Sequence, residues 1–154
     1  LAELTGLERA LMAGVISLAI GITGASAAAG SGPTTLYVGL FTANPTDSTA
    51  GTEVTGGSYA RVAVTSSLVN WAGTQSAAST TASSGTGGTT SNNAALTFPA
   101  PSANWGTVTG FGIFDATSAG NLLIYAALTT SKTVNNGDPA PSFAISALTV
   151  QIDN

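Results

Sequence analysis

Cysteine and histidine are both absent from this chain of 154 residues. Without cysteine there is no disulfide framework and no thiolate zinc site. Without histidine the chain lacks the commonest general base and the commonest metal ligand of proteins. The two absences together argue against most of the side-chain chemistry on which hydrolytic and metal-dependent enzymes rely.

Charged side chains are also scarce, at 6 % of the residues against roughly 25 % in an ordinary soluble domain. Three basic and seven acidic residues leave a formal net charge of −4. Because three basic residues cannot neutralise a row of phosphates, nucleic acid is not an expected partner. Weak charge repulsion suits a chain that functions inside an assembly better than it suits a free enzyme.

No set of residues carries a convincing catalytic or metal-binding pattern. Serines and threonines are plentiful, but no histidine is available to activate one, and Lys132 lies in a turn-like segment where a lone lysine is usually solvated. The internal carboxylates all fall in predicted loops, where such side chains commonly cap turns: Asp47, Glu53, Asp115 and Asp138. The three aspartates are the candidates for a calcium site, but no calcium-loop motif is present. We therefore expect no enzyme activity, no catalytic residues, no cofactor and no metal.

Residues 1–24 form the one helix that the sequence predicts. Six apolar residues recur at steps of three and four and would line one face of it: Leu4, Leu7, Leu11, Val15, Leu18 and Ile22. The segment also resembles a signal peptide, because an apolar stretch is followed by small residues, whereas its apolar run is short for a transmembrane helix. We favour an assembly element with these six residues as interface candidates and expect no membrane partner.

Beyond a small-residue linker at 25–33, the pattern is that of a β domain over 34–154. Runs rich in β-branched and aromatic residues, bounded by turn signals, predict strands over 36–42, 59–66, 94–98, 108–114, 122–128 and 142–152. Residues 68–71 extend the second of these strands after a kink. A turn of sequence DATSAGN joins the runs 108–114 and 122–128 into a predicted β-hairpin, on which the other strands are expected to pack.

The predicted fold class follows from the spacing of these strands. Regular turns between short strands, with no further helix between them, favour a mainly β protein: an antiparallel β-sandwich or barrel-like domain with an N-terminal α-helix. Residues 73–93 are a low-complexity run of Gly, Ser, Thr and Ala. We interpret this run as a flexible surface loop, or alternatively as a loop that orders against a neighbouring subunit.

Two further features leave alternatives open. With so few charges, Glu53 and Arg61 are conspicuous: they form either a salt bridge that braces the intervening loop or two solvated side chains. Trp71, Trp105 and Tyr125 are either core residues or the stacking platforms of a carbohydrate-binding module. The solvent exposure of the two tryptophans distinguishes these two possibilities.

Three runs carry a family resemblance: LYVGLFTANPTD from Leu36, GTEVTGGSYARVAV from Gly51, and ALTFPAPSANWGTVTGFGIFDATSAGNLLIYAALTTSKTVNNGD from Ala95. Their motifs F-T-x-x-P-T-D, Y-A-R and W-G-T-V-T…G-I-F-D-A are distinctive together. Over residues 36–154 the chain resembles small structural proteins of tailed bacteriophages, which are labelled tail fibre proteins or serve as capsid decoration (cement) proteins. The resemblance implies virion assembly and no catalysis.

From this resemblance we expect a bacteriophage virion structural protein, with capsid decoration as the leading placement. It would self-associate, as a trimer by analogy with typical decoration proteins, and bind the major capsid protein on the capsid surface. A tail fibre or other tail component, bound to a tail protein, is the alternative. A carbohydrate-binding module or a glycan hydrolase is the distant alternative.

Overall fold

The computed structural model describes residues 32–67, 69–72 and 89–151, and within these ranges the regular structure is all β. The strands are β1 (Thr35–Ala43), β2 (Thr52–Glu53), β3 (Val62–Thr65), β4 (Trp71–Ala72), β5 (Thr89–Asn92), β6 (Leu96–Thr97), β7 (Gly106–Phe114), β8 (Leu122–Val134), β9 (Ser142–Phe143) and β10 (Thr149–Gln151). Their named pairings are antiparallel, which confirms the mainly β class.

The predicted N-terminal helix and its six interface candidates lie outside the described residues, as does most of the predicted linker. Within the part of the chain that is described, no helix is long and apolar enough to cross a membrane.

Two compact units make up the described chain, whereas the sequence patterns treat 34–154 as one domain. The first, which we call the hairpin unit, comprises Thr35–Val64 and Leu96–Phe143. The second, the Asn92 unit, contains the described residues among 32–34, 65–95 and 144–151. The chain leaves the hairpin unit and returns to it, so each unit is built from segments that are distant in sequence.

The hairpin unit is organised around a sheet of order β2-β1-β7-β8, with β3 also paired to β1. The predicted hairpin is confirmed as β7 and β8, and the predicted strand 36–42 is confirmed as the central strand β1. Val38 pairs with Ile113 and Leu40 with Phe111, which places these side chains together on one buried face. Phe143 of β9 packs its ring edge against Phe111, with 5.7 Å between the ring centroids.

Strand β8 is longer than predicted. The sequence pattern ends the strand at residue 128 and predicts a turn over 131–141, but β8 continues to Val134. The continuation exists because Gly106–Val108 of β7 supply partners for Lys132–Val134 after an irregularity in the register. Thr129, Thr130 and Thr133 are β-branched and fit this extended conformation.

The Asn92 unit contains a sheet of order β10-β5-β4. Strand β5 lies at the end of the 73–93 segment that was predicted to be a loop, so this prediction was wrong for residues 89–92. β5 pairs with a strand on each side, and these partners satisfy the backbone groups of a sequence that carries little strand signal itself.

The predicted strand 142–152 is interrupted in the structure, and this part of the prediction was wrong. Only Ser142–Phe143 and Thr149–Gln151 are extended, and a turn between them places Ser146 at a φ of 62°. Asn92 holds this turn: its carbonyl accepts from Ser146 N–H at 2.8 Å, and its Oδ1 accepts from Leu148 N–H at 2.9 Å. Alternation of apolar residues cannot reveal a bond to a side chain more than fifty positions away.

Candidate functional site

Two glycines make room on one face of the hairpin-unit sheet. Gly39 of β1 lies opposite Gly112 of β7. A Cβ atom on Gly39 would approach Glu53 Oε1 and Phe114 Cε2 to 2.9 Å, and one on Gly112 would approach Phe41 Cε2 to 2.6 Å. Both positions therefore require glycine for space, which lets polar and aromatic side chains lie directly on the sheet backbone.

Glu53 and Arg61 form the salt bridge that was one of the two alternatives for this pair. Arg61 Nη2 donates to Glu53 Oε2 at 2.7 Å, and Arg61 Nε donates to Glu53 Oε1 at 2.8 Å. The pair is sheltered rather than solvated, because the side chains are only 7 % and 23 % exposed. This bidentate geometry is stronger and more directional than a typical surface ion pair.

The Arg61 guanidinium also binds the loop of the β7–β8 hairpin. Its Nη1 donates to the carbonyl oxygens of Ala116 and Ala119, each at 2.8 Å. Its Cζ lies 3.4 Å from the centroid of the Phe114 ring, so the cation stacks on an aromatic face. One side chain thus ties the segment that leads into β3 to the loop at the end of the central hairpin.

Tyr59 extends the network to the backbone of β1. Its hydroxyl donates to Glu53 Oε1 at 2.8 Å and accepts from the Leu40 N–H at 2.8 Å. Burial is the main reason why the pKa of Tyr59 lies above its usual value; the Leu40 bond opposes this rise, and the Glu53 charge adds to it. The phenol therefore stays protonated and remains a donor to the carboxylate.

An open groove of about 560 Å³ lies beside this network. Its lining combines the Glu53–Arg61 pair and Phe114 with residues of the 45–51 loop and of the hairpin loop at 119–121. Tyr125 of β8 also lines the groove and is 41 % exposed. Since both ends of the Arg61 guanidinium already have partners, the geometry is that of a structural brace with an adjoining surface depression.

Two of the three aspartates proposed as calcium candidates, Asp115 and Asp138, bind backbone or side-chain groups of the turns in which they lie. Both oxygens of Asp115 accept bonds from Asn121, from its backbone N–H and its side-chain amide, each at 2.7 Å. Both bonds lower the pKa of Asp115, and the bond from the Asn121 side-chain amide contributes the larger part. Asp138 Oδ2 accepts from the Asn135 N–H at 2.8 Å. Among the described residues the structure assembles no group of three potential metal ligands, and it leaves Asp47 in a separate turn.

Two of the three proposed stacking platforms are core residues. Trp71 and Trp105 are 3 % and 5 % exposed, and the indole Nε1 of Trp105 donates to the Gly57 carbonyl at 2.9 Å. Trp105 also packs edge-on against Tyr59, with 5.3 Å between the ring centroids. Of the three, Tyr125 alone offers a ring to solvent, so the core alternative is confirmed for the two tryptophans.

Sequence reasoning held the ion pair as one of two alternatives and missed the residues around it. The alternation of the Y-A-R motif places Tyr59 and Arg61 on the same side, and this was the available signal for Tyr59 in the network. No local pattern indicates that Phe114 would stack on Arg61. The room supplied by Gly39 depends on a strand pairing that sequence spacing does not disclose.

The antiparallel β architecture, the sparse charge and the braced hairpin are compatible with a structural protein of the bacteriophage virion, the class that the three sequence runs resemble. The family model described as Podophage GP4 fiber I protein gp80 matches residues 22–151, which is well over half of the chain, and the chain belongs to this family. The resemblance to phage virion proteins is thereby confirmed. The search of curated proteins gives no match. Structural fibre families are typically not enzymatic, and the protein's place is the virion.

Proposed function

We propose that this protein is a component of the tail fibre apparatus of a podophage. The observation that carries the proposal is the match of the fibre family over residues 22–151. This match favours a place in the tail over capsid decoration. The sequence alone led us to expect decoration first, with the tail as the alternative. The protein would act by holding its shape and binding neighbours, with no chemical step.

The braced hairpin supports this role. A fibre component has to present fixed surfaces to its neighbours, and the hairpin loop at 116–119 is held to the sheet by a sheltered arginine rather than left to move. The groove and the long strand β8 lie on this same unit. These features suit an assembly subunit.

Imaging of intact particles tests the placement. With an electron-dense label on the chain, we expect a small number of labelled sites, all of them at the tail. The tail contains few copies of its fibres, whereas a decoration protein repeats across the whole shell. Label distributed with icosahedral symmetry over the capsid would contradict the fibre proposal and restore the decoration hypothesis.

We further propose that the apolar stripe of residues 1–24 is the assembly element, and that the copies associate as a trimer. Replacing Leu7 and Leu11 by serine removes two side chains whose burial is each worth about 1.5–3 kcal/mol. Sedimentation should show a shift to smaller species, with the melting temperature of the β units unchanged. Glu3→Ser, which lies off the stripe, is the matched control and should associate as the unaltered chain does. If the double leucine variant also associated as the unaltered chain does, the stripe would not be the assembly element.

A further inference from the structure

Strand β8 forms one edge of the hairpin-unit sheet. It runs for 13 residues, and among the described strands it pairs only with β7. The opposite edge of the sheet is formed by β2 and β3, which are two and four residues long. An antiparallel edge strand turns every second pair of backbone groups outward, so β8 presents donors and acceptors on its free side, most regularly over Ile124–Ala127, where its register with β7 is unbroken.

The part of β8 from Leu122 to Leu128, which we call the β8 edge, carries no charged residue and no proline. Its register with β7 is unbroken over Ile124–Ala127 and shifts on either side of them. Exposed edges are commonly guarded by charges, prolines, β-bulges or short length, and of these the β8 edge has only the irregularities that flank Ile124–Ala127. The β8 edge has the sequence LLIYAAL, and no charged residue occurs between Asp115 and Lys132. Its side chains are half-buried or exposed, with Tyr125, Ala126 and Ala127 exposed in succession. A surface of this kind is a template for another strand.

We propose that the β8 edge pairs antiparallel with the β8 edge of a second copy of this chain, related by a two-fold axis. The segment is complementary to itself when reversed. Pairing centred on Ala126 sets Tyr125 opposite Ala127, a large side chain against a small one, on one face of the sheet. It sets Ile124 opposite Leu128 on the other face, and no like charges meet in either copy.

A second copy fits this edge better than an unrelated strand does. In an isologous contact each favourable pair occurs twice, so Tyr125–Ala127 and Ile124–Leu128 each contribute on both sides of the axis. The pairing would join two four-strand paths β2-β1-β7-β8 into one continuous sheet across the two copies. Because the trimer contact is proposed to lie in residues 1–24, the two-fold pairing would join copies from different trimers. It would also cover an edge that no other described strand pairs with in a single copy.

Single cysteines test the pairing directly, because the chain contains no cysteine of its own. We would introduce one cysteine at a time at positions 124 to 128 of the full chain, for example Ala126→Cys, and oxidise mildly. Directly opposed positions in an antiparallel pair lie within disulfide reach. We expect most of the Ala126→Cys chain to run as a covalent dimer on a non-reducing gel, and Tyr125→Cys mixed with Ala127→Cys to form the mixed dimer.

Thr55→Cys, at an exposed loop position of the same unit, is the control and should remain monomeric on the gel. Self-linking at one neighbouring position instead of 126 would support the pairing with a shifted register. Absence of self-linking at all five positions, or equal linking of Thr55→Cys, would overturn it.

A non-covalent measurement gives an independent result. Ala127→Lys brings two like charges close to the two-fold axis, so we expect at least about a tenfold weaker dimer step in sedimentation equilibrium, because like charges placed near one another across paired strands are unfavourable. Thr55→Lys adds the same charge away from the edge and should associate as the unaltered chain does. Equal association of Ala127→Lys and the unaltered chain would contradict the proposal.

Discussion

Replacing Arg61 by alanine is expected to lower the free energy of unfolding by about 3 kcal/mol, the lower end of the cost of breaking a buried ion pair. The variant leaves the Glu53 carboxylate without its bidentate partner in a sheltered position. It also leaves the carbonyls of Ala116 and Ala119 without their donor and removes the cation from the Phe114 ring. Urea denaturation followed by tryptophan fluorescence measures the change.

Arg61→Lys is the matched control for charge. Lysine keeps the positive charge but cannot make the planar two-bond contact with Glu53 or stack in the same way on Phe114. We expect a smaller loss of stability than for alanine. A double variant of Arg61→Ala with Glu53→Gln should lose less than the sum of the single variants, since the two side chains act as one unit. Additive losses would show that the pair is energetically uncoupled.

Replacing Asn92 by alanine is expected to cost about 3 kcal/mol or more. The side chain is fully buried and makes three bonds: its Nδ2 donates to the carbonyls of Ala94 and Ala144, each at 2.8 Å, and its Oδ1 accepts from the Leu148 N–H at 2.9 Å. Alanine removes all three bonds and leaves the buried Leu148 N–H without its Asn92 acceptor, whereas the Ala144 carbonyl still accepts from the Ala147 N–H at 3.0 Å. An unsatisfied buried group costs about 1–3 kcal/mol, and each lost bond adds to this. Denaturant titration gives the global loss, and faster hydrogen exchange at the Leu148 amide would locate it.

Asn70→Ala provides the comparison within the same unit. The Asn70 side-chain amide donates one bond, at 3.1 Å, to the Thr65 carbonyl in a more exposed setting. Its removal should cost no more than about 1 kcal/mol. If both asparagine variants lost the same stability, the buried network around Asn92 would not be what holds the turn between β9 and β10.

The ion pair shows how far sequence reasoning reached at the candidate site. Glu53 and Arg61 stood out because charge is so scarce in this chain, and the structure brings them together. The remaining partners of Arg61 were not predicted. Ala116 and Ala119 contribute only backbone carbonyls, which every residue possesses, so their identity carries no signal. The groove was missed for a related reason, because its walls come from two loops distant in sequence.

The local patterns of this chain were enough for the β class, the central strand and the hairpin. Side-chain alternation and turn chemistry act between residues a few positions apart, so Leu36–Thr42 and the two runs around DATSAGN can be recognised from sequence spacing. The interruption at Ser146, the strand at Thr89–Asn92 and the extension of β8 depend instead on partners supplied from elsewhere in the chain. Those partners meet only when the chain folds. Every backbone N–H and carbonyl can bond to any partner that the fold brings within reach, so the local sequence does not specify which partner this will be.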